Sequence, residues 1–210
     1  MRKGLAERPQ CRFQVVQVEA DASKSSKGGT GDSSGKSGVT VVLDVGHNPP
    51  AITRLFDKLR GEFPNRQVRV VTAFSCDKDS TSCLEIMLKN VGPDKIHLAE
   101  AATQRSTHPA LLASVLEEIS GGKFDPSRRV LAGPGSVRQA VRNALVEAAA
   151  SEKEGHDKDV VVVCGTVYMM ADVREELGFD EPRDSDVVAE VAGSHFRAAQ
   201  DNFDHSGSKA

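Results

Sequence analysis

The chain has 210 residues, 39% of them hydrophobic and 27% charged, which is typical of one soluble domain with additional polar segments. The formal net charge of −3 argues against nonspecific binding to nucleic acids or membrane surfaces, because both normally need a clustered basic excess. The longest apolar run, 160–164, has the length of a buried strand and not of a membrane span. The basic N-terminus lacks a following apolar stretch, so we expect no secretory signal and a cytoplasmic location, with mitochondria or another organelle left open.

The first predicted strand, 11–19, is separated from the second, 39–45, by a polar stretch that contains KGGTGDSSGKSG. That stretch resembles a phosphate-binding P-loop, which has a glycine five positions before its Gly-Lys-Ser/Thr. The position five before Gly35 is Thr30, and no helix is predicted after Lys36, so the register and the context of a P-loop are both missing. We therefore interpret 21–38 as a low-complexity insertion between two paired strands, and we expect that deleting 22–37 leaves the melting temperature nearly unchanged.

Helices and strands alternate along the rest of the chain. Asn48, followed by two prolines, predicts the N-cap of a helix, and the apolar residues that follow have helical spacing: Ile52, Leu55, Phe56, Leu59 and Phe63. Further helices are predicted near 81–89, within 108–122 and at 136–150. Further strands are predicted at 68–74, at 94–101 and at 159–164, the last running through Gly165 into a final helix.

Apolar strands that alternate with amphipathic helices predict an α/β fold in three layers, a Rossmann-like, mostly parallel sheet with helices on both faces. We assign 9–180 to this domain, 1–8 to an N-terminal extension and 181–210 to a tail, expected to be disordered because its apolar periodicity is largely lost. Ligands of such sheets bind beyond the carboxyl ends of the strands. Polar residues gather at that position in four loops: DVGHNPP, SCDKD, ATQRSTHP and CGTVY.

The loop after the second strand offers a carboxylate and an imidazole. Asp44 could accept from ribose hydroxyls or orient a metal-bound water, and His47 with the N-terminus of the next helix could meet an anion. The alternative is that Asp44 and Asn48 only cap the turn. Spacing alone leaves both interpretations open.

Two other loops offer single candidates. Lys78 is a possible anion contact, with a solvated loop charge as the alternative. Gly165 permits a close backbone approach, and Thr166 offers a hydroxyl that could equally cap a helix. The six histidines and four cysteines show no metal-ligand spacing, so we predict no metal site and reduced, structural thiols.

Four segments, CRFQVV, LDVGHNPPAI, AFSCDKD and CGTVYMMADVREELG, occur in an order that is found in a known family. They resemble the C-terminal domain of folylpolyglutamate synthase and dihydrofolate synthase, which belong to the Mur ligase superfamily, from about Pro9 to Gly178. The Asp-x-x-His-Asn-Pro element is shared with other branches, including cyanophycin synthetase. The Arg-Phe-Gln start, the Asp-Lys-Asp loop and the Gly-Thr-x-Tyr ending together favour the folate branch.

The resemblance implies roles for residues of three loops. Arg12 and Asp44 are expected to contact ATP, Asp44 at the ribose, with Asn48 in the same ATP-binding group. His47 is the implied catalytic residue, placed by the phosphate or the incoming glutamate. Lys78 and Thr166 are expected near the glutamate or the phosphate.

The implied reaction is ATP-driven amide formation, in which the carboxylate of a folate or of dihydropteroate becomes an acyl phosphate and the amine of L-glutamate attacks it. In the family a large N-terminal domain holds the P-loop and the magnesium ligands. Because these 210 residues contain no such domain, we expect the chain to need ATP, Mg²⁺ and a P-loop ligase domain, and to be a fragment, split subunit or truncated product.

Two positions depart from the family pattern. Gly46 stands where alanine is commoner, and Ala110 stands where many members have an arginine after the proline, so one basic contact is expected to be lost. Two other functions remain open from the sequence. One is a different Mur-type amino-acid ligase, and the other is a non-catalytic module that binds a nucleotide or a partner.

Overall fold

The computed structural model describes residues 11–18, 38–151 and 158–179. The predicted N-terminal extension, the low-complexity insertion up to residue 37 and the tail from 181 lie outside these residues, so those predictions stay open. None of the helices in the described part is both long enough and apolar enough to cross a membrane.

Within the described residues, a five-stranded sheet forms the middle layer. Its strands are β1 (Arg12–Val18), β2 (Val39–Asp44), β3 (Val68–Thr72), β4 (Ile96–Leu98) and β5 (Val160–Cys164). The order across the sheet is β1-β2-β5-β3-β4, with β1 antiparallel to β2 and the other pairs parallel. β5 is buried along its whole length because strands flank it on both sides and helices cover both faces. The predicted three-layer α/β fold and the pairing of the first two strands are confirmed.

The helices in the described part of the chain are α1 (Pro49–Glu62), α2 (Ser80–Asn90), α3 (Pro109–Ile119), α4 (Ser136–Ala150) and α5 (Met170–Glu176). One face of the sheet packs against α1, α2 and α3 through a cluster that includes Phe56, Met87 and Leu116. The other face packs against α4 and α5 through a second cluster that includes Val141 and Val173. Burial on both faces explains the nearly continuous apolar strands seen in the sequence.

The strand predicted at 94–101 is shorter than expected. Pro93–Lys95 forms a 3₁₀ turn, and β4 covers only Ile96–Leu98. Beyond it, the N–H of Glu100 donates to the Ser136 hydroxyl at 3.2 Å instead of to a neighbouring strand. Ala99 N–H still donates to the Thr72 carbonyl of β3 at 3.0 Å, so the chain leaves the sheet after Ala99.

A β-bulge interrupts β1 at its first residues. Arg12 pairs with Asp44 and Gln14 pairs with Leu43, so Phe13 is an extra residue in the ladder. Phe13 has a positive φ of 51°, and its ring is buried against the α1 face, with the Lys58 ammonium 3.8 Å from the ring centroid. Side chains alternate between the two faces of a sheet, so the extra residue places Arg12 on the same face as Asp44. In a strand without the bulge, Arg12 would lie on the opposite face.

The amino ends of the parallel strands carry a group of charged and polar side chains that we call the amino-edge ion cluster: Arg69, Lys95, His97, Arg129, Glu147 and Asp159. Arg69 pairs with Glu147 and, at 3.1 Å, with Asp159. Lys95 also reaches Asp159 at 3.1 Å. This cluster lies at the opposite edge of the sheet from the loops that the sequence selects as the ligand site.

Candidate functional site

The carboxyl edge of the sheet brings the predicted loops together. β2 ends at Asp44 and β5 at Cys164, and both run parallel with β3, so the residues that follow them emerge at one edge. Gly165 has a φ of +120°, and a Cβ there would overlap the carbonyl oxygen of Ala73 and lie 2.6 Å from the Thr72 hydroxyl. Only glycine lets the β5 loop approach the end of β3 so closely.

Asp44 fixes the turn that follows β2. Its Oδ2 accepts from the N–H of Phe13 at 2.9 Å, and its Oδ1 accepts from the N–H of Gly46 at 2.7 Å. The capping hydrogen bonds expected of Asp44 are therefore present, and its contact with a ribose stays a prediction. Each carboxylate oxygen has a second acceptor direction, so a half-buried Asp44 can still accept a ribose hydroxyl.

Gly46 is better suited to this turn than the sequence indicates. A Cβ at this position would lie 2.8 Å from Asp44 Oδ1 and 3.3 Å from the Ala51 Cβ. Either the carboxylate or the start of α1 would have to shift to make room for alanine. The glycine thus allows the short hydrogen bond between its own N–H and Asp44.

Arg12 stands opposite Asp44 at the end of the β1–β2 pair. The two residues are Cα partners in the ladder, and Arg12 is exposed. Because of the bulge at Phe13, both side chains belong to the same face of the sheet. A guanidinium and a carboxylate are therefore presented together, which suits a ligand with both phosphate and hydroxyl groups.

One ring nitrogen of His47 contacts the protein backbone, and the other can contact a ligand. Its Nδ1 lies 3.0 Å from the carbonyl oxygen of Val45. Since a carbonyl oxygen only accepts, this contact is a hydrogen bond when Nδ1 holds the proton. Nε2 of the half-buried ring then remains to accept a proton or, once protonated, to donate to an anion.

Asn48 is the N-cap of α1, as predicted. Its Oδ1 accepts from the N–H of Ala51 at 3.0 Å, and Pro49 and Pro50 have no N–H to offer. The expected anion site at this helix N-terminus therefore lacks most of its backbone donors. A phosphate near α1 would depend on side chains such as His47 more than on the helix itself.

Lys78 and Arg105 share one carboxylate. Asp77 lies 3.0 Å from the Lys78 ammonium and 2.9 Å from the Arg105 guanidinium. The hydrogen bond from Lys78 and the charge of Arg105 hold the pKa of Asp77 below its ordinary value. The loops are joined by a 2.8 Å bond from Cys76 N–H to the Arg105 carbonyl. Sequence reasoning missed Arg105, although its loop was selected, because the pairing depends on β3 and β4 being neighbours.

Thr166 is buried and caps the turn after β5. Its hydroxyl accepts from the N–H of Tyr168 at 3.4 Å and lies 3.5 Å from the Ser75 hydroxyl. The capping interpretation is confirmed, and the contact with Ser75 joins the β3 and β5 loops. The next two side chains, Val167 and Tyr168, are 59% and 46% exposed, so the turn presents an apolar surface beside the site.

The described residues contain no group of three His, Cys, Asp or Glu that could hold a metal ion. No disulfide joins the cysteines, and Cys76 is the exposed one while Cys83 and Cys164 are buried. Burial raises the pKa of Cys83 to about 12 and also raises the pKa of Cys164. These two thiols are therefore protonated core residues.

Residues 32–167 match the family model described as Mur ligase, glutamate ligase domain. A curated relative, the dihydrofolate synthase/folylpolyglutamate synthase of Escherichia coli K12, is 30% identical over 138 residues. That match covers 65% of this chain but only 28% of the relative, so the chain spans less than a third of its length.

Solved structures show the same relationship. The folylpolyglutamate synthase of Mycobacterium tuberculosis, complexed with ADP and AMPPCP, matches with a TM-score of 0.55 and 25% identity over 68% of this chain and 30% of that one. E. coli FolC in complex with DHPP and ADP matches with a TM-score of 0.52 and 25% identity over 79% and 30%.

Proposed function

The chain belongs to the glutamate ligase domain family of the Mur ligases, and from this membership we propose that it is the C-terminal part of an ATP-dependent ligase that adds L-glutamate to a folate or to dihydropteroate. The named relative and the structures with ADP and DHPP support the folate branch. Since the chain covers only 28% of that relative, we assign the P-loop to another domain.

The reaction has two balanced steps. The γ-phosphoryl group of ATP passes to the carboxylate of the pteroate or folate, giving an acyl phosphate and ADP. The amine of L-glutamate then attacks the acyl carbon, loses a proton and releases inorganic phosphate as the amide forms. Magnesium would neutralise charge on the phosphates. We propose that the P-loop domain supplies most of the magnesium ligands.

The nucleotide contacts of this chain are Asp44 and Arg12. Asp44 is held by two backbone N–H groups, so its carboxylate is already oriented when a ribose hydroxyl arrives. Arg12, on the same face, supplies a positive charge for a phosphate oxygen. Asn48 orients the start of α1 next to them because its Oδ1 caps the helix. The amide nitrogen takes no part in that hydrogen bond and can donate to the nucleotide.

The second step takes place at the other contacts. His47, with Nδ1 on the Val45 carbonyl, can accept the amine proton at Nε2 or donate to the departing phosphate. Lys78, steadied by Asp77, provides a positive charge for a carboxylate or a phosphate. Thr166 shapes the β5 turn near the glutamate end. The observation that supports the proposal most directly is the pairing of Arg12 with Asp44 at the edge where His47 also emerges.

The test is ADP release by the chain, by a matching P-loop ligase domain and by their mixture, with and without L-glutamate. We expect neither part to be active alone, and the mixture to release ADP only with glutamate and a pterin substrate. Dihydropteroate and tetrahydrofolate are compared as acceptors. Turnover with another amino acid would favour a different Mur-type ligase. Binding of the two parts without turnover would favour a non-catalytic module.

A further inference from the structure

Gln14 joins two parts of the molecule that are far apart in sequence. Its Oε1 accepts from the N–H of Cys11 at 3.2 Å and from Nη1 of Arg174 at 2.9 Å. Arg174 belongs to α5 and is only 7% exposed. One amide oxygen therefore connects the turn that precedes β1 with the last described helix.

The turn held by Gln14 is strained and includes the residue before Arg12. Cys11 and Phe13 both have positive φ values, 55° and 51°, which non-glycine residues rarely adopt. Such a conformation persists only when surrounding contacts hold it. Two contacts come from the β2 end, where Phe13 N–H donates to Asp44 and Val45 N–H donates to the Cys11 carbonyl. Gln14 supplies a contact from the opposite face.

The helix that Gln14 contacts, α5, follows directly after the β5 loop that carries Thr166. Thr166 starts the 3₁₀ turn Val167–Met169, which leads directly into α5. Gln14 lies on the face of the sheet that α4 and α5 cover, because it pairs with Leu43 and Leu43 packs in the α4–α5 cluster. Gln14 is thus placed between the part that presents Arg12 and the part that presents Thr166.

We propose that Gln14 is a positioning residue, which holds Arg12 in the orientation needed for the nucleotide by anchoring its turn to Arg174. This inference rests on the proposed function for the role of Arg12, but the anchor itself is a property of the isolated chain. The two can therefore be tested separately. The informative variant is Gln14→Met, which keeps the length of the side chain and removes the acceptor, while Gln14→Glu keeps an acceptor for both donors.

The anchor is tested by thiol labelling of the full chain in a Cys76→Ser background, because Cys76 is the exposed thiol and Cys11 is 5% exposed. We expect Gln14→Met to raise the labelling rate of Cys11, located by mass spectrometry, by about tenfold or more. Gln14→Glu should label like the parent. The matched control is Gln17→Met, since Gln17 lies on the same strand and bonds to the Thr40 hydroxyl instead.

The positioning role is tested in the mixture with the P-loop domain. We expect Gln14→Met to raise the KM for ATP about fivefold or more while kcat and the KM for glutamate stay within about twofold. A general loss of structure would change all three constants together. Gln14→Glu should have the KM for ATP of the parent. If Gln14→Met does not fold cooperatively, Gln14→Asn, whose shorter amide cannot make both contacts, replaces it in both measurements.

Cys11 labelling at the parent rate in Gln14→Met overturns the anchor, and an unchanged KM for ATP despite faster labelling overturns the positioning role. An unmutated mixture without glutamate-dependent ADP release contradicts the proposed function instead. Labelling then still decides whether Gln14 anchors the turn.

Discussion

The N–H of Phe13 donates to Oδ2 of Asp44 at 2.9 Å, so the residue that bulges β1 is held by the carboxylate at the end of β2. The same carboxylate accepts from Gly46 at 2.7 Å. Asp44 is therefore both a structural residue and the proposed ribose contact. Substitutions at this position should affect folding and turnover together.

Asp44→Ala should lower the free energy of unfolding by about 2 kcal/mol, because the N–H groups of Phe13 and Gly46 lose a charged acceptor. The measurement is the urea midpoint at an unchanged m-value. In the mixture with the P-loop domain, the rate of ADP release should fall about 100-fold, mainly through a higher KM for ATP. Asp57→Ala, an exposed carboxylate on α1, serves as the control and should change neither quantity appreciably. A folded Asp44→Ala variant with wild-type kinetics would refute the nucleotide role.

His47→Ala should lower kcat more than it raises the KM for ATP, because we propose that the ring acts in the second step. We expect a decrease in kcat of about 100-fold, measured as glutamate-dependent ADP release. His108→Ala provides the comparison, since His108 is an exposed histidine that caps α3. Equal losses of kcat in both variants would mean that His47 has no special role in the reaction.

Gly165→Ala should destabilise the fold by at least about 3 kcal/mol, since its Cβ would overlap the Ala73 carbonyl at a φ of +120°. Gly61→Ala is the matched substitution, because Gly61 lies in α1 with no atom within 4 Å of a new Cβ. That variant should gain about 0.5 kcal/mol from helix propensity. Thermal unfolding of both proteins measures the difference. Similar melting temperatures would show that the β5 loop can move away from β3.

Acid should destabilise the protein through His97. Burial lowers the pKa of His97 to about 4, with the charges of Arg129 and Arg69 acting in the same direction and Glu147 opposing them. Its ordinary value is 6.5, so between pH 6.5 and pH 4 the unfolded chain takes up a proton that the folded chain does not. The free energy of unfolding should fall by about 3 kcal/mol across this window as the pH decreases.

The measurement is the urea midpoint at half-unit steps of pH, compared with His97→Gln, which cannot titrate. The slope between pH 6.5 and about 4.5 should be clearly smaller in the variant. Below that range both proteins should lose stability, because the pKa of Glu147 also lies below its ordinary value: burial raises it, but the hydrogen bond from Arg129 and the nearby positive charges outweigh that effect. Identical slopes would exclude His97 as the titrating group.

Most of the fold could be predicted because each helix and strand has its own periodic signal. For the helix after Asn48 and the buried run at 160–164, the bounds that the sequence predicts agree with the observed ones within a residue or two. The bulge at Phe13 could not be predicted, since an extra residue in a six- or seven-residue strand hardly changes its pattern. As a result, the sequence alone does not show that Arg12 lies on the same face of the sheet as Asp44.

The sequence predicts the local caps of the candidate site but not the contacts between its loops. Asp44, Asn48 and Thr166 have capping patterns that are local in sequence, and all three caps are present. The bridge from Asp77 to Arg105 depends on which strands are neighbours. The amino-edge ion cluster was missed for the same reason, because Arg69 and Asp159 meet only through the pairing of β3 with β5.

The separation of the amino-edge ion cluster from the carboxyl-edge loops makes the domain suitable for attachment chemistry. A dye, a solid support or a fusion partner could be coupled to exposed positions around Asp94 or Arg128, at the end of the molecule that takes no part in the proposed reaction. The coupled groups would lie away from the loops that carry the proposed site. A domain labelled in this way could report the binding of a P-loop domain by energy transfer, without a change to the residues of the candidate site.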